Sequence, residues 1–164
     1  MDTLKKIDHS AMRVNQIIII ALIILAFLLD LPWLAAAVAL FMTVGTLLGI
    51  PAFGFVYRYA LKPAGLVKPD VLMDNPEPHR FSQGLGSLFM TAGSLALFLG
   101  YPLLGWGLLW LVAGLAALNA FAGFCAGCMV YYWLSRFKVP GFHKSPPADT
   151  FPGMRPGRRA NNEA

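Results

Sequence analysis

Charge is confined to a few short zones of this chain, and long apolar runs fill the space between them. From Gln16 to Tyr57 the only charged residue is Asp30, and from Phe81 to Ser135 there is no Lys, Arg, Asp or Glu. An uncharged apolar run of about 20 residues matches a hydrocarbon core of about 30 Å. The runs divide at Asp30-Leu31-Pro32 and at Gly100-Tyr101-Pro102. The pattern therefore predicts four membrane helices, near residues 15–29, 32–50, 82–99 and 103–121. The first run begins late and has no small-x-small site before Asp30, so it is expected to stay as a span rather than leave as a signal peptide.

The last run continues past residue 121 to Leu134 and is too long for one crossing. Asn119 and Gly123 are the candidate break points. The expectation is a span to about Phe121, a break, and a short helix from about Phe124 to Arg136.

Composition agrees with a membrane protein. The chain has 164 residues, of which 57% are hydrophobic, and its mean hydropathy is +0.62. A soluble domain of this size could not hide that much apolar surface. The 13 Lys and Arg all fall on one side of the predicted spans. Lys5, Lys6 and Arg13 precede the first. Arg58, Lys62, Lys68 and Arg80 lie between the second and third. Arg136, Lys138, Lys144, Arg155, Arg158 and Arg159 follow the fourth. The positive-inside rule then places both termini and the central loop in the cytoplasm, on the inner membrane of a bacterium. The net charge of +5 favours the anionic inner leaflet over nucleic acid, because the cations are dispersed beside the spans.

The two halves echo each other. Arg13-Val-Asn-Gln16 opens the first span and Arg80-Phe-Ser-Gln83 the third. Leu29-Asp-Leu-Pro32 makes one outer turn and Leu99-Gly-Tyr-Pro102 the other. Their common order favours a duplication of a two-span unit, with both copies in the same orientation. The fold class expected is an all-α membrane protein with four transmembrane helices arranged as two parallel two-span repeats. Its parts are a cytoplasmic N-terminal segment (1–14), a first repeat with an interfacial helix (15–62), a cytoplasmic loop (63–81), a second repeat (82–138) and a disordered basic tail (139–164).

The candidate chemistry is a Cys-x-x-Cys pair in the second repeat only. Cys125 and Cys128 are the two cysteines of the chain, and Val56 and Tyr59 stand at the matching positions of the first repeat. A break at Gly123 would place Cys125 at the first turn of a helix, where free backbone N–H groups stabilise a thiolate. Residues i and i+3 share a helix face, so the pair can close a disulfide or grip one soft ion. Irregular backbone at membrane depth needs a protein or water cover, so a small pocket open to the cytoplasm is expected. Two buried packing residues are the bland alternative.

His9, His79 and His143 all lie on the cytoplasmic side, and none has diagnostic spacing. His79, next to Arg80, is the preferred third metal ligand or base. Arg13, Gln16, Arg80 and Gln83 could bind a headgroup or small anion, but anchoring two helix starts is the plainer role. Asp74 to Arg80 looks like an ordered loop ahead of a helix, with Glu77 a candidate cap. No phosphate loop, dinucleotide fingerprint or zinc-protease motif is present.

Three segments together resemble one bacterial family, domain of unknown function four-three-nine-five. They are Asp8-His-Ser-Ala-Met-Arg13-Val-Asn-Gln16, Pro76-Glu-Pro-His-Arg80-Phe-Ser-Gln83-Gly-Leu-Gly86 and Gly123-Phe-Cys125-Ala-Gly-Cys128-Met-Val-Tyr131. The resemblance covers about Asp8 to Phe137. It implies a small four-span membrane protein whose relatives are joined to, or stand beside, thioredoxin-like and rhodanese-like modules. It therefore implies thiol or sulfur chemistry with a separate partner of that kind. It draws attention to Arg13, Gln16, Arg80, Gln83, Cys125, Cys128 and Tyr131, without assigning their roles.

Three functions compete. The first is a membrane thiol-redox or sulfur-transfer protein, with Cys125 and Cys128 as the reacting pair near the cytoplasmic face. The second is a transporter of a soft metal ion or sulfur species, with Cys125, Cys128 and His79 as ligands; a homodimer would supply four thiolates. The third is a non-catalytic membrane subunit of a redox complex. No cofactor is required by the first or third. Arg13, Gln16, Arg80, Gln83, Asn119 and Tyr131 are expected near the site as substrate or structural residues.

Overall fold

The computed structural model of the chain describes residues 4–147 and 150–157. It is mostly helical. A short strand, β1 (Lys5–Asp8), leads into α1 (His9–Leu28), which is followed by α2 (Pro32–Leu48), the single turn α3 (Gly54–Val56) and a π-helical stretch, Tyr57–Leu61. Strand β2 (Val71–Asp74) leads into α4 (Pro76–Phe98), then α5 (Pro102–Ala117), a second π-helical stretch, Leu118–Ala122, and α6 (Ala126–Arg136). Strand β1 pairs antiparallel with β2, Lys5 opposite Asp74 and Asp8 opposite Val71. This ribbon brings the starts of α1 and α4 together.

The helix ends follow local chemistry. Asp8 caps α1, its carboxylate accepting from Ser10 N at 3.1 Å. Proline opens α2, α4 and α5 at Pro32, Pro76 and Pro102. That is the helical position where a missing N–H costs least. Asp30 and Gly100 take left-handed backbone angles at the two hairpin turns.

The four long helices form a ring in which α1 packs on α2, α2 on α4, α4 on α5, and α5 back on α1. Each contributes a nearly or fully buried residue to the shared core: Ile23, Val38, Met90 and Leu109. Phe27 of α1 meets Trp106 and Trp110 of α5 edge-on, at 5.1 and 5.4 Å between ring centroids. The outside of the ring is as apolar as its core. Leu103 is 90% exposed, Trp33 76% and Leu47 72%.

Among the described residues, two helices, His9–Leu28 and Pro102–Ala122, are long and apolar enough to cross a membrane. The other two long helices differ from the expected spans. Helix α2 has 17 residues, short of a full crossing at 1.5 Å per residue. Helix α4 has 23 residues, but glycine, serine, threonine and Gln83 dilute its apolar content, and its first turns carry Glu77, His79 and Arg80.

Helices α4 and α5 touch backbone to backbone. A Cβ added at Gly105 would lie 2.9 Å from the Gly93 carbonyl oxygen and 2.6 Å from Leu97 Cγ. Small residues permit such close approach in lipid. Gly105→Ala is therefore expected to destabilise the protein by about 1–3 kcal/mol. A thermal-unfolding scan in detergent will show it. The same change at Gly107, where nothing lies within 4 Å, is expected to be silent.

Candidate functional site

The chain breaks where the composition expects it. After α5 the backbone loosens into the π-helical Leu118–Ala122, and Gly123 adopts φ 67°. A side chain at that angle would be strained, so glycine makes the reversal possible. Cys125 then takes an extended conformation and becomes the N-cap of α6, its Sγ accepting from Cys128 N at 3.1 Å. Cys125 and Cys128 are joined as a disulfide, with Cα atoms 5.2 Å apart.

Helix α4 supplies the other wall. Ser82 Oγ lies 3.4 Å from Cys125 Sγ. Gly127 allows this approach, since a Cβ there would sit 2.9 Å from Ser82 Cα. His79 Nδ1 is 3.5 Å from Cys128 Sγ. The other nitrogen of that ring, Nε2, is 2.8 Å from Asp74 Oδ2, and His9 Nε2 is 3.3 Å from the same oxygen. The two imidazoles meet edge-on at 5.6 Å. Thus a chain of contacts runs from a buried carboxylate through His79 to one sulfur of the pair.

Asp74 is only 3% exposed, and burial alone would raise its pKa. The hydrogen bond from His79, the close approach of His9, the charge of His79 and the backbone N–H of Asn75 outweigh that, and hold the carboxyl well below the usual carboxylate range. The Asn75 N–H reaches Asp74 Oδ1 at 2.8 Å. A second carboxylate, Asp8, accepts from the N–H groups of Ser10 and Asp70 and from the Tyr57 hydroxyl, which donates at 2.8 Å. It ties the start of α1 to the segment after α2.

The tail closes over the pair. Cys125 N donates to Gly153 O at 2.7 Å and Arg155 N to Gly123 O at 3.0 Å. The Arg155 guanidinium pairs with the Asp70 carboxylate. Cys125 and Cys128 are left 4% and 3% exposed. Disorder expected after residue 139 is thus corrected for 139–147 and 150–157. Proline and glycine suit a mobile tail, but here the first backbone N–H of the α6 cap needs an acceptor, and Gly153 provides it. Arg158 and Arg159, the basic end of the tail, lie outside the described residues.

Two cavities adjoin the disulfide. The larger, about 420 Å³, runs between α1, α2, α4 and α5, with Lys6, Asp8 and Cys125 also in its lining. Its walls are apolar at Ile19, Phe89 and Val112, and carboxamide-bearing at Asn15, Gln16, Gln83 and Asn119. The smaller, about 30 Å³, lies under the tail between His9, Arg13, Gln16, His79, Asn119 and Arg155.

The residues singled out from sequence separate into two groups. Gln16, His79, Asn119 and Cys125 line both cavities, and Arg13 the smaller one. Arg80 and Gln83 line the larger cavity but are engaged with backbone. Arg80 donates to the carbonyls of Thr46 and Leu47 at 2.8 and 2.9 Å, capping the end of α2. Gln83 Nε2 reaches the carbonyls of Met42 and Ile50 at 3.3 and 3.1 Å. These contacts hold α2 against α4 rather than marking the start of a span. Tyr131 is buried in one cluster with Cys125, Cys128 and Tyr132, and its ring also meets those of Phe81 and Phe142. His143 is exposed.

Sequence reasoning missed Asp74 and Ser82, and named His9 only as one of three histidines without diagnostic spacing. Asp74 and His79 are five residues apart and stand before an apolar run, which is a usable signal. His9 is distant in sequence, and only the β1–β2 ribbon brings it in. Glu77 sits in the first turn of α4, while its cap position is Asn75, without a side-chain capping bond.

The donor atoms of His79, Cys125 and Cys128 lie within 4.8 Å of one another, as do those of His9, Asp74 and His79. The first set offers a soft ion two sulfurs and a nitrogen, but only when the disulfide is open.

The family model for Domain of unknown function (DUF4395) matches residues 7–136, a span that takes in both halves of the site. No curated protein and no solved structure matches the chain.

Proposed function

The chain belongs to the DUF4395 family, and from that premise we propose that it is an integral membrane thiol-redox or sulfur-transfer protein that works by opening and closing the Cys125–Cys128 bond. The observation that carries this reading is the disulfide itself, capping a helix, with His79 Nδ1 3.5 Å from Cys128 Sγ. On reduction, the N-terminus of α6 stabilises a thiolate at Cys125. His79, oriented by Asp74, is placed to take or return the proton of Cys128. Attack by one thiolate on a partner's disulfide, followed by the second thiol, completes an exchange. A thioredoxin-like or rhodanese-like protein is the partner expected in the cytoplasm.

The proposed topology has four crossings by α1, α2, α4 and α5, as two parallel two-span repeats. Uncharged helices, apolar outer surfaces and one-sided cations support it. Both termini and the thiol pair then face the cytoplasm of a bacterial inner membrane. Arg80 and Gln83 compensate for the short α2 by satisfying carbonyls at its end.

Labelling tests this reading. After mild reduction, a membrane-impermeant maleimide is expected to modify Cys125 or Cys128 in inside-out vesicles and not in intact spheroplasts. Labelling from the periplasmic face alone would overturn it. The donor set of His79, Cys125 and Cys128 also supports a second reading, a carrier of a soft metal ion. One Cu(I) or Zn(II) held per reduced chain, with no disulfide cycling, would favour the carrier.

A further inference from the structure

We infer that the larger cavity is a binding site for a membrane-soluble quinone that exchanges two electrons with the Cys125–Cys128 pair. The inference rests on the thiol-redox reading and names its second substrate. Four observations carry it.

The tail leaves Cys125 and Cys128 only 4% and 3% exposed, yet Cys125 also lines a cavity of about 420 Å³. That volume is in the range of small-molecule sites, about 300–1,000 Å³. The cavity extends from the disulfide inward between apolar helices, with Ile19, Phe89 and Val112 in its walls. That inner part suits an apolar occupant, while Lys6, Asp8, His79 and Arg80 line the part of the cavity beside the starts of α1 and α4. Gln16 and Asn119, both half-buried, stand at the Cys125 end, lining both cavities. Carboxamide N–H groups beside an apolar chamber suit a flat ring with carbonyl acceptors. Finally, the chain has only two cysteines. Electrons leaving this pair have no second thiol pair within the chain to enter, so a two-electron acceptor has to come from outside it, and the cavity is where a small one fits.

The reaction balances without a further reagent. Two S–H bonds break and the S–S bond forms. The two electrons released pass to the quinone. The two protons go to its carbonyl oxygens, giving the hydroquinone. The reverse reaction opens the disulfide at the expense of a hydroquinone.

Full-length protein in detergent, reduced with dithiothreitol and freed of it without oxygen, tests this with decylubiquinone as the probe. One quinone is expected to be consumed per disulfide formed, read by quinone absorbance and by thiol alkylation mass. Gly86→Leu fills the cavity, because a Cβ there meets only the flexible end of Met42, at 3.1 Å. It is expected to raise the KM for decylubiquinone by about tenfold or more. Asn119→Leu, which adds little bulk, is expected to raise it in the same direction. Gly107→Leu, on an open helix face, is expected to keep the original KM. If oxidised glutathione recloses the pair and decylubiquinone does not, the quinone inference falls and the thiol reading stands. If dithiothreitol cannot open the disulfide, both fall. An unchanged KM in Gly86→Leu and Asn119→Leu would place the quinone elsewhere and overturn the cavity assignment.

Discussion

Cys125→Ser is expected to abolish thiol exchange, by at least about a hundredfold, while leaving the fold intact. The reason lies in the cap. Cys125 holds the first turn of α6 by accepting the Cys128 N–H, and serine is among the best residues for that task. The variant therefore loses the nucleophile but keeps the helix start. Cys125→Ala loses both, and is expected to be less stable than the serine variant by about 1 kcal/mol. Cys128→Ser gives a different outcome. It leaves Cys125 at the helix terminus with no resolving thiol, so a mixed disulfide with a thiol partner should accumulate instead of turning over. Non-reducing electrophoresis after incubation with a reactive disulfide probe separates the three variants. Equal exchange by wild type and both serine variants would reduce the pair to a packing feature and leave a purely structural membrane subunit.

Asp74→Asn is expected to have the largest effect on stability, about 3–5 kcal/mol, the usual result of removing one partner from a buried charged cluster. His9 Nε2 and His79 Nε2 both face the Asp74 carboxylate, and His79 in turn faces Cys128. Without the charge, neither ring is held, and exchange at Cys128 is expected to slow together with folding. The pH dependence separates this from a mere packing defect. The folded carboxyl titrates below its ordinary value of 3.8, so the unfolded chain binds its proton first as pH falls. The stabilisation from Asp74 is thus complete above about pH 4 and is lost as pH drops toward the lower folded value. Thermal midpoints measured between pH 7 and pH 3 should fall for the native chain at the acid end. The part of that fall due to Asp74 should be missing in Asp74→Asn. Identical acid profiles for the two proteins would show that the carboxylate does not bind the histidines as described.

Much of the helical plan is legible from residues whose effects are local. Asp30-Leu31-Pro32 and Gly100-Tyr101-Pro102 close hairpins because a left-handed residue followed by proline can only turn and restart. Gly123 ends the last long run because its left-handed backbone leaves the helix, and Asn119 lies in the π-helical stretch just before it. Cys-x-x-Cys is legible because its spacing is a property of the segment alone. Less of the surrounding site can be read this way. Arg80 looks like an interfacial anchor in sequence, yet its guanidinium reaches carbonyls of a helix more than 30 residues earlier. Tyr131 is prominent in the Cys-x-Gly-Cys-x-x-Tyr segment, but the rings of Phe81 and Phe142 that pack it beside the cysteines come from distant segments. The tail's proline and glycine content conceals the carbonyl of Gly153 that meets Cys125 N.

By itself, the order of residues determined where helices start and stop, which surfaces are apolar, and that two thiols share one turn. These are short-range matters of backbone freedom and hydration, and each residue carries its own tendency. Only the tertiary structure decided what surrounds the thiols. The β1–β2 ribbon carries His9 to Asp74, the approach of α6 to α4 sets Cys128 against His79, and the ring of four helices leaves a chamber behind Cys125. Such meetings depend on how distant segments pack, and no local preference encodes them.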